Sequence, residues 1–127
     1  MVLSSCGYIH HLAKRRSALL LLITFTATMY GHAVLVKSAP KVNEKLKGPS
    51  IPVTLVFNSR IDQARSVLTL DRPGHPACPL MIKKDSSRPE TLTSSVSDAT
   101  PGHYLLHWQV LSVDGHITRG QIEFEVN

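Results

Sequence analysis

Residues 103–113 constrain this chain more than any other stretch. Tyr104, Leu106, Trp108 and Val110 fall at every second position. In an extended chain such residues all leave one face. A helix cannot gather positions two apart onto one side, so the segment reads as a long strand with one apolar face. That face has to be covered by a second layer, and the sequence from His32 to Asn127 supplies further strands and no amphipathic helix to cover it. Residues 32–37 form a first strand, stopped by Ser38-Ala39-Pro40. Residues 52–57 turn Val53, Leu55 and Phe57 to one side, with Pro52 at the first position, where a missing N–H is tolerated. Residues 66–70 are a third strand. They end at Asp71-Arg72-Pro73-Gly74, where proline presets φ and glycine accepts a positive φ. Residues 80–83 and 90–96 read as shorter strands. Residues 119–126 are the last, with Ile122, Phe124 and Val126 inward and Glu123 and Glu125 outward. Residues 41–48 and 58–64 read as connections, the first tucking in Val42 and Leu46, the second Ile61. The expected fold is all-β: a seven-stranded Greek-key sandwich, immunoglobulin-like or cupredoxin-like, centred on Trp108 with Phe57 and Phe124.

The start of the chain has a different character. Lys14-Arg15-Arg16 precede an apolar run over 18–29, and small residues follow. A positive n-region, a short h-region and small residues together read as a secretory signal peptide. The run is short for a membrane span, which takes ~20 apolar residues. Residues 1–31 are therefore read as a cleaved leader. Residues 32–127 are the domain, placed in the periplasm or at the cell surface. A cut after Gly31 makes His32 the first residue, whereas Gly31-His32-Ala33 also suits a cut after Ala33; the residues themselves leave both open.

Removing the leader changes what charge and cysteines imply. Of 14 basic residues three lie at 14–16, so eleven basic against nine acidic residues give +2 from His32 onward. No basic stripe with interleaved aromatics remains, which argues against nucleic-acid binding. Cys78 is the single cysteine after residue 31, so no disulfide forms within the domain and the core alone must hold it.

Asp114-Gly115-His116 closes the long strand. Residues two apart share a face in extended chain, and Gly115 lets the backbone turn, so a carboxylate and an imidazole can meet at one point. His32 as a first residue adds an α-amino nitrogen and an imidazole that can chelate one ion. Three nitrogens and one carboxylate oxygen favour Cu(II), with Ni(II) second. The amine, with a reference pKa of ~7.7–8.0, must lose a proton to bind, so affinity falls in acid.

These segments are familiar in combination. His32-Ala33-Val34-Leu35-Val36-Lys37-Ser38-Ala39-Pro40 resembles the "HAxLxxSxP" start of the CopC family of exported copper-binding proteins. Residues 101–116 resemble its "PGxYxVxWxVxSxDGH", and residues 120–126 its closing "GxxxFxV". The resemblance spans residues 32–127. It implies a seven-stranded β-sandwich, cleavage directly before His32, and one Cu(II) held by His32, Asp114 and His116. It also implies a non-enzymatic carrier for copper homeostasis or resistance, which we expect to be a monomer. Such a carrier sequesters copper or hands it to an inner-membrane copper transporter of the CopD type. Some members also bind Cu(I) through a methionine-rich loop; here Met81 is the single methionine after residue 31, so we expect Cu(II) only.

An N-terminal histidine clasp on a β-sandwich also resembles copper monooxygenases. That is the alternative function, an oxidase, and it would call for an open coordination position and an aromatic substrate face. Three further groupings draw the eye. His75, Cys78 and Met81 are blue-copper residue types, but they share one proline-broken loop without a second histidine, and no electron-transfer centre is expected there. His103 and His107 are expected on the polar face opposite Trp108. Ser112, Asp114 and His116 are too close in sequence to align as a hydrolytic triad.

Overall fold

Ile51, Val53, Leu55 and Phe57 are all buried, and the residues between them are not. This is the alternation of a strand covered on one face. The structure is a computed structural model that describes residues 31–127. The leader expected over 1–31 lies, apart from Gly31, outside the described residues. Those residues contain eight strands: β1 (Leu35–Ala39), β2 (Glu44–Leu46), β3 (Ile51–Phe57), β4 (Val67–Asp71), β5 (Cys78–Leu80), β6 (Thr91–Val96), β7 (Gly102–Leu111) and β8 (Ile117–Val126). One sheet has the order β1-β3-β6, the other β2-β8-β7-β4-β5. The second order is non-sequential because the chain leaves β5 for β6 in the opposite sheet and returns as β7 beside β4. This crossing between layers is the expected Greek-key character.

The two inner faces meet in a largely apolar core; Ser94, inward on β6, donates its hydroxyl to Met81 O at 2.7 Å. Leu55 and Leu92 from one sheet face Leu68, Leu106, Ile122 and Phe124 from the other, all essentially inaccessible. Each such side chain contributes about 1.5–3 kcal/mol on burial, which is how a domain without a disulfide holds together.

The strand count is eight, not seven. The additional strand is β2, which lies within the stretch read as a polar connection. Glu44-Lys45-Leu46 pairs in parallel with Phe124-Glu125-Val126. A parallel partner arrives without a hairpin, and a three-residue polar edge strand carries no alternation to read. Its entry is set by Asn43, at a φ of 60°, whose N–H donates to Glu123 O at 2.7 Å. Leu46 packs against the core as expected, but Val42 is in solvent. The strand expected at 80–83 is shifted to Cys78–Leu80, after which Lys83 bridges to Thr93 of the other sheet.

The core's centre also differs. Phe57 and Phe124 are buried, but Trp108 is half-buried and packs edge-on to Phe57 at 5.2 Å. Tyr104 takes the central place, stacked on Phe124 at 5.3 Å. Its hydroxyl donates to Thr100 O at 2.8 Å and accepts from Thr100 N–H at 3.0 Å, a tyrosine corner that fixes the entry to β7. Tyr104→Phe leaves the ring in place and orphans both backbone groups. We expect a loss of about 1–3 kcal/mol in a denaturant titration, with no change in fold.

Candidate metal centre

The β7–β8 hairpin carries two of the three expected ligands at its turn. Leu111 pairs with Ile117, and residues 112–116 turn between them. Ser112 N–H donates to His116 O at 2.9 Å, and Gly115 N–H donates to Ser112 O at 3.0 Å. Gly115 has φ +87°, which an L side chain rarely adopts. Asp114 and His116 thus meet through the turn expected at Gly115, and not through the strand alternation of their spacing. Beneath the turn, Ile61 is buried and bridges to Ser112, and Asp62 N–H donates to Leu111 O at 2.8 Å.

The third residue arrives from the far end of the domain. The first strand begins at Leu35, not at His32, because residues 33–34 are spoken for by other partners. Ala33 is buried, and its carbonyl accepts from Thr118 Oγ1 at 2.9 Å. Val34 N–H donates to Asn58 Oδ1 at 2.8 Å, and Asn58 N–H donates back to Val34 O at 2.9 Å. Thr118 belongs to one sheet and Asn58 follows a strand of the other. The segment therefore straps across one end of the sandwich and delivers His32 to the turn.

His32, Asp114 and His116 converge: each offers a ligand atom within 4.8 Å of the others. Asp114 Oδ2 lies 3.1 Å from His116 Nδ1 and 3.7 Å from His32 Nδ1. The two imidazoles sit 4.4 Å apart, tilted by 35°. Two donors on one ion with bonds of about 2.1 Å can stand at most about 4.2 Å apart. The carboxylate–imidazole separations already fall inside that span.

The site is negative at its centre. The hydroxyl of Ser112 donates to Asp114 Oδ1, and the backbone N–H of His116 donates to the same oxygen at 3.1 Å. These two bonds, the hydroxyl first, hold the Asp114 carboxyl well below the usual carboxylate range. An anionic oxygen between two nitrogen donors at a solvent-facing rim suits a divalent transition metal.

Sequence reasoning found these three residues and missed their supports. Ser112 figures in the sequence only within the family motif and a rejected triad, and Asn58 and Thr118 carry no signal there. A serine two positions before an aspartate at a strand end is a local-turn signal that could have pointed to Ser112. No pattern links Ala33 with Thr118 across the chain. Elsewhere, His75 and Met81 are exposed and Cys78 packs its half-buried thiol against the core. His107 pairs with Asp71 at 2.9 Å and His103 with Glu123 at 3.9 Å, so the two histidines serve separate partners on the outer face. Among the described residues no second group of three His, Cys, Asp or Glu converges.

The profile of the CopC domain matches residues 35–127. This chain belongs to the CopC family. Protein YobA of Escherichia coli K12 is 30% identical over 115 residues, covering 87% of this chain and 93% of that protein. The copper transport protein CutJ of Bacillus subtilis is 29% identical over 114 residues, 85% of this chain but 20% of that longer protein. The crystal structure of CopC from Methylosinus trichosporium OB3b superposes with a TM-score of 0.68 at 26% identity, covering 76% of this chain and 94% of that one. PcoC of Escherichia coli, a methionine-rich copper resistance protein, shares the fold at 20% identity with a TM-score of 0.61, covering 76% of this chain and all of that one. Membership makes this a copper-related β-sandwich. The family match starts three residues after His32, so the placing of that histidine rests on the strap described above.

Proposed function

We propose that this CopC-family member is an exported, non-enzymatic Cu(II) carrier that holds its ion with His32, Asp114 and His116. The convergence of His32, 82 positions away in sequence, and His116, two positions away, on one carboxylate oxygen of Asp114 carries this reading. In the full chain His32 follows Gly31, and its backbone nitrogen is a peptide nitrogen. Cleavage at that bond frees an amine that completes a set of three nitrogens and one oxygen. Copper is the cargo, held outside the cytoplasm by a monomer and passed to a membrane copper transporter of the CopD type. CutJ supports the last step, since a named copper transport protein contains a matching segment as one part of a longer chain.

The test is a competition titration with Cu(II) on protein beginning at His32. Stoichiometric binding supports the carrier; absence of binding removes it. The same copper-loaded sample, given ascorbate, should form no sustained peroxide, which separates a carrier from an oxidase. His116→Ala should cost more than the roughly 10–100-fold typical of losing a hydrogen-bond partner of a ligand. The apo protein should keep its melting temperature, because exposed substitutions away from structural features stay within about ±0.5 kcal/mol.

A further inference from the structure

We infer that Ser112 is a positioning residue: by holding Asp114 Oδ1 it leaves Oδ2 as the single carboxylate oxygen turned to copper. The inference rests on the copper reading above. The two oxygens of Asp114 have separate surroundings. Oδ1 accepts the Ser112 hydroxyl and, at 3.1 Å, the His116 backbone N–H. Oδ2 alone faces the imidazoles, at 3.1 and 3.7 Å. A carboxylate free to rotate can present both oxygens to a metal; here rotation breaks two hydrogen bonds to a charged acceptor, which are the stronger kind.

Ser112 can act in this way because it is itself immobile. It is buried, at 3% exposure, and its backbone is bonded on both sides within the turn. It also bridges to Ile61. Its Oγ also lies 2.8 Å from His116 O, so its single proton is shared between that carbonyl and the Asp114 carboxylate, which accepts it more strongly as the charged partner. Asp114 is thereby divided: one oxygen belongs to the hairpin and one to the ion. Outer-shell groups of this kind orient a ligand before the metal arrives.

Wild type, Ser112→Ala and Ser112→Thr, each beginning at His32, are compared in three measurements. These are Cu(II) competition titration, electron paramagnetic resonance of the copper-loaded protein, and apo melting. Alanine should lose roughly 10- to 100-fold in affinity, with a changed copper hyperfine splitting as the second carboxylate oxygen approaches. Threonine, which keeps the hydroxyl, should retain the wild-type spectrum. A folded alanine variant with wild-type affinity and spectrum overturns the inference. So does an affinity loss with an unchanged spectrum, which assigns Ser112 to the fold alone. Should alanine fail to fold, Ser112→Val, close in shape to the threonine variant but without its hydroxyl, takes its place; it should show the altered splitting, and a wild-type splitting overturns the inference. If wild type binds no Cu(II), the carrier reading fails and takes this one with it. If wild type binds and Ser112→Ala is indifferent, only the role of Ser112 falls.

Discussion

One residue added ahead of His32 should weaken Cu(II) binding by at least about 100-fold, or about 2.7 kcal/mol. The added residue converts the α-amino nitrogen into a peptide nitrogen. The imidazole of His32 remains, and so do Asp114 and His116. What goes is one of four donors, and with it the chelate ring that lets His32 grip the ion at two points. The rest of the domain has no reason to notice. Ala33 stays under the Thr118 hydroxyl and Val34 stays paired with Asn58. The melting temperature of the apo protein should therefore be the same for both forms. The pair of proteins isolates the amine from every other part of the site. Equal copper affinities would show that binding does not use the terminal nitrogen, and the clasp would then reduce to two imidazoles and a carboxylate. A lower melting temperature in the extended form would instead mean that the strap over residues 33–34 depends on where the chain begins.

The parts of this structure that were readable in advance are those governed by local period. The strands expected at 52–57 and 103–113 alternate because a two-residue period is imposed on any strand with one dry face, so Val53, Leu55, Phe57, Tyr104, Leu106 and Val110 could be named from the sequence, whereas Ile51 lay outside the expected strand. The closeness of Asp114 to His116 was legible because turn and candidate donor residues sit side by side. What was hidden depends on partners remote in sequence. β2 owes its existence to the edge of β8 and carries no apolar pattern of its own. His32 reaches the site only through Thr118 and Asn58, whose hydrogen bonds to residues 33–34 leave no trace in composition. Of the two reasons for expecting Asp114 and His116 to converge, strand alternation and a turn at Gly115, the second is the one at work. The hairpin turn, with Gly115 at positive φ, brings them together. Trp108 was misplaced for a related reason: alternation gives the face of a side chain but not its depth, and depth is decided by what stands across the ladder.

What stands across from Trp108 is Gly120, and that pairing gives the second large effect. Gly120 lies within β8, where propensity alone says that alanine should be better by roughly 0.5–1 kcal/mol. The structure says the opposite. A Cβ at this position would lie against Trp108 Cζ2, 2.6 Å from Cε2 and 2.9 Å from Nε1. These are atoms of a rigid ring, not the end of a flexible side chain, and the ring is held on another side by Phe57. To admit one methyl group the indole must tilt off Phe57 or β7 and β8 must part. Overpacking of this kind costs about 1–3 kcal/mol, against a total stability of order 5–15 kcal/mol for a domain. Gly120→Ala should therefore lower the denaturant midpoint, and it should shift the emission of the only tryptophan as the ring becomes more exposed. Adding Trp108→Phe removes the atoms that clash. The double variant should be more stable than the sum of the two single losses predicts, because the second substitution makes room for the first. Strict additivity, or a stabilising Gly120→Ala, would mean that the indole does not rest on this glycine and that its half-burial has some other cause.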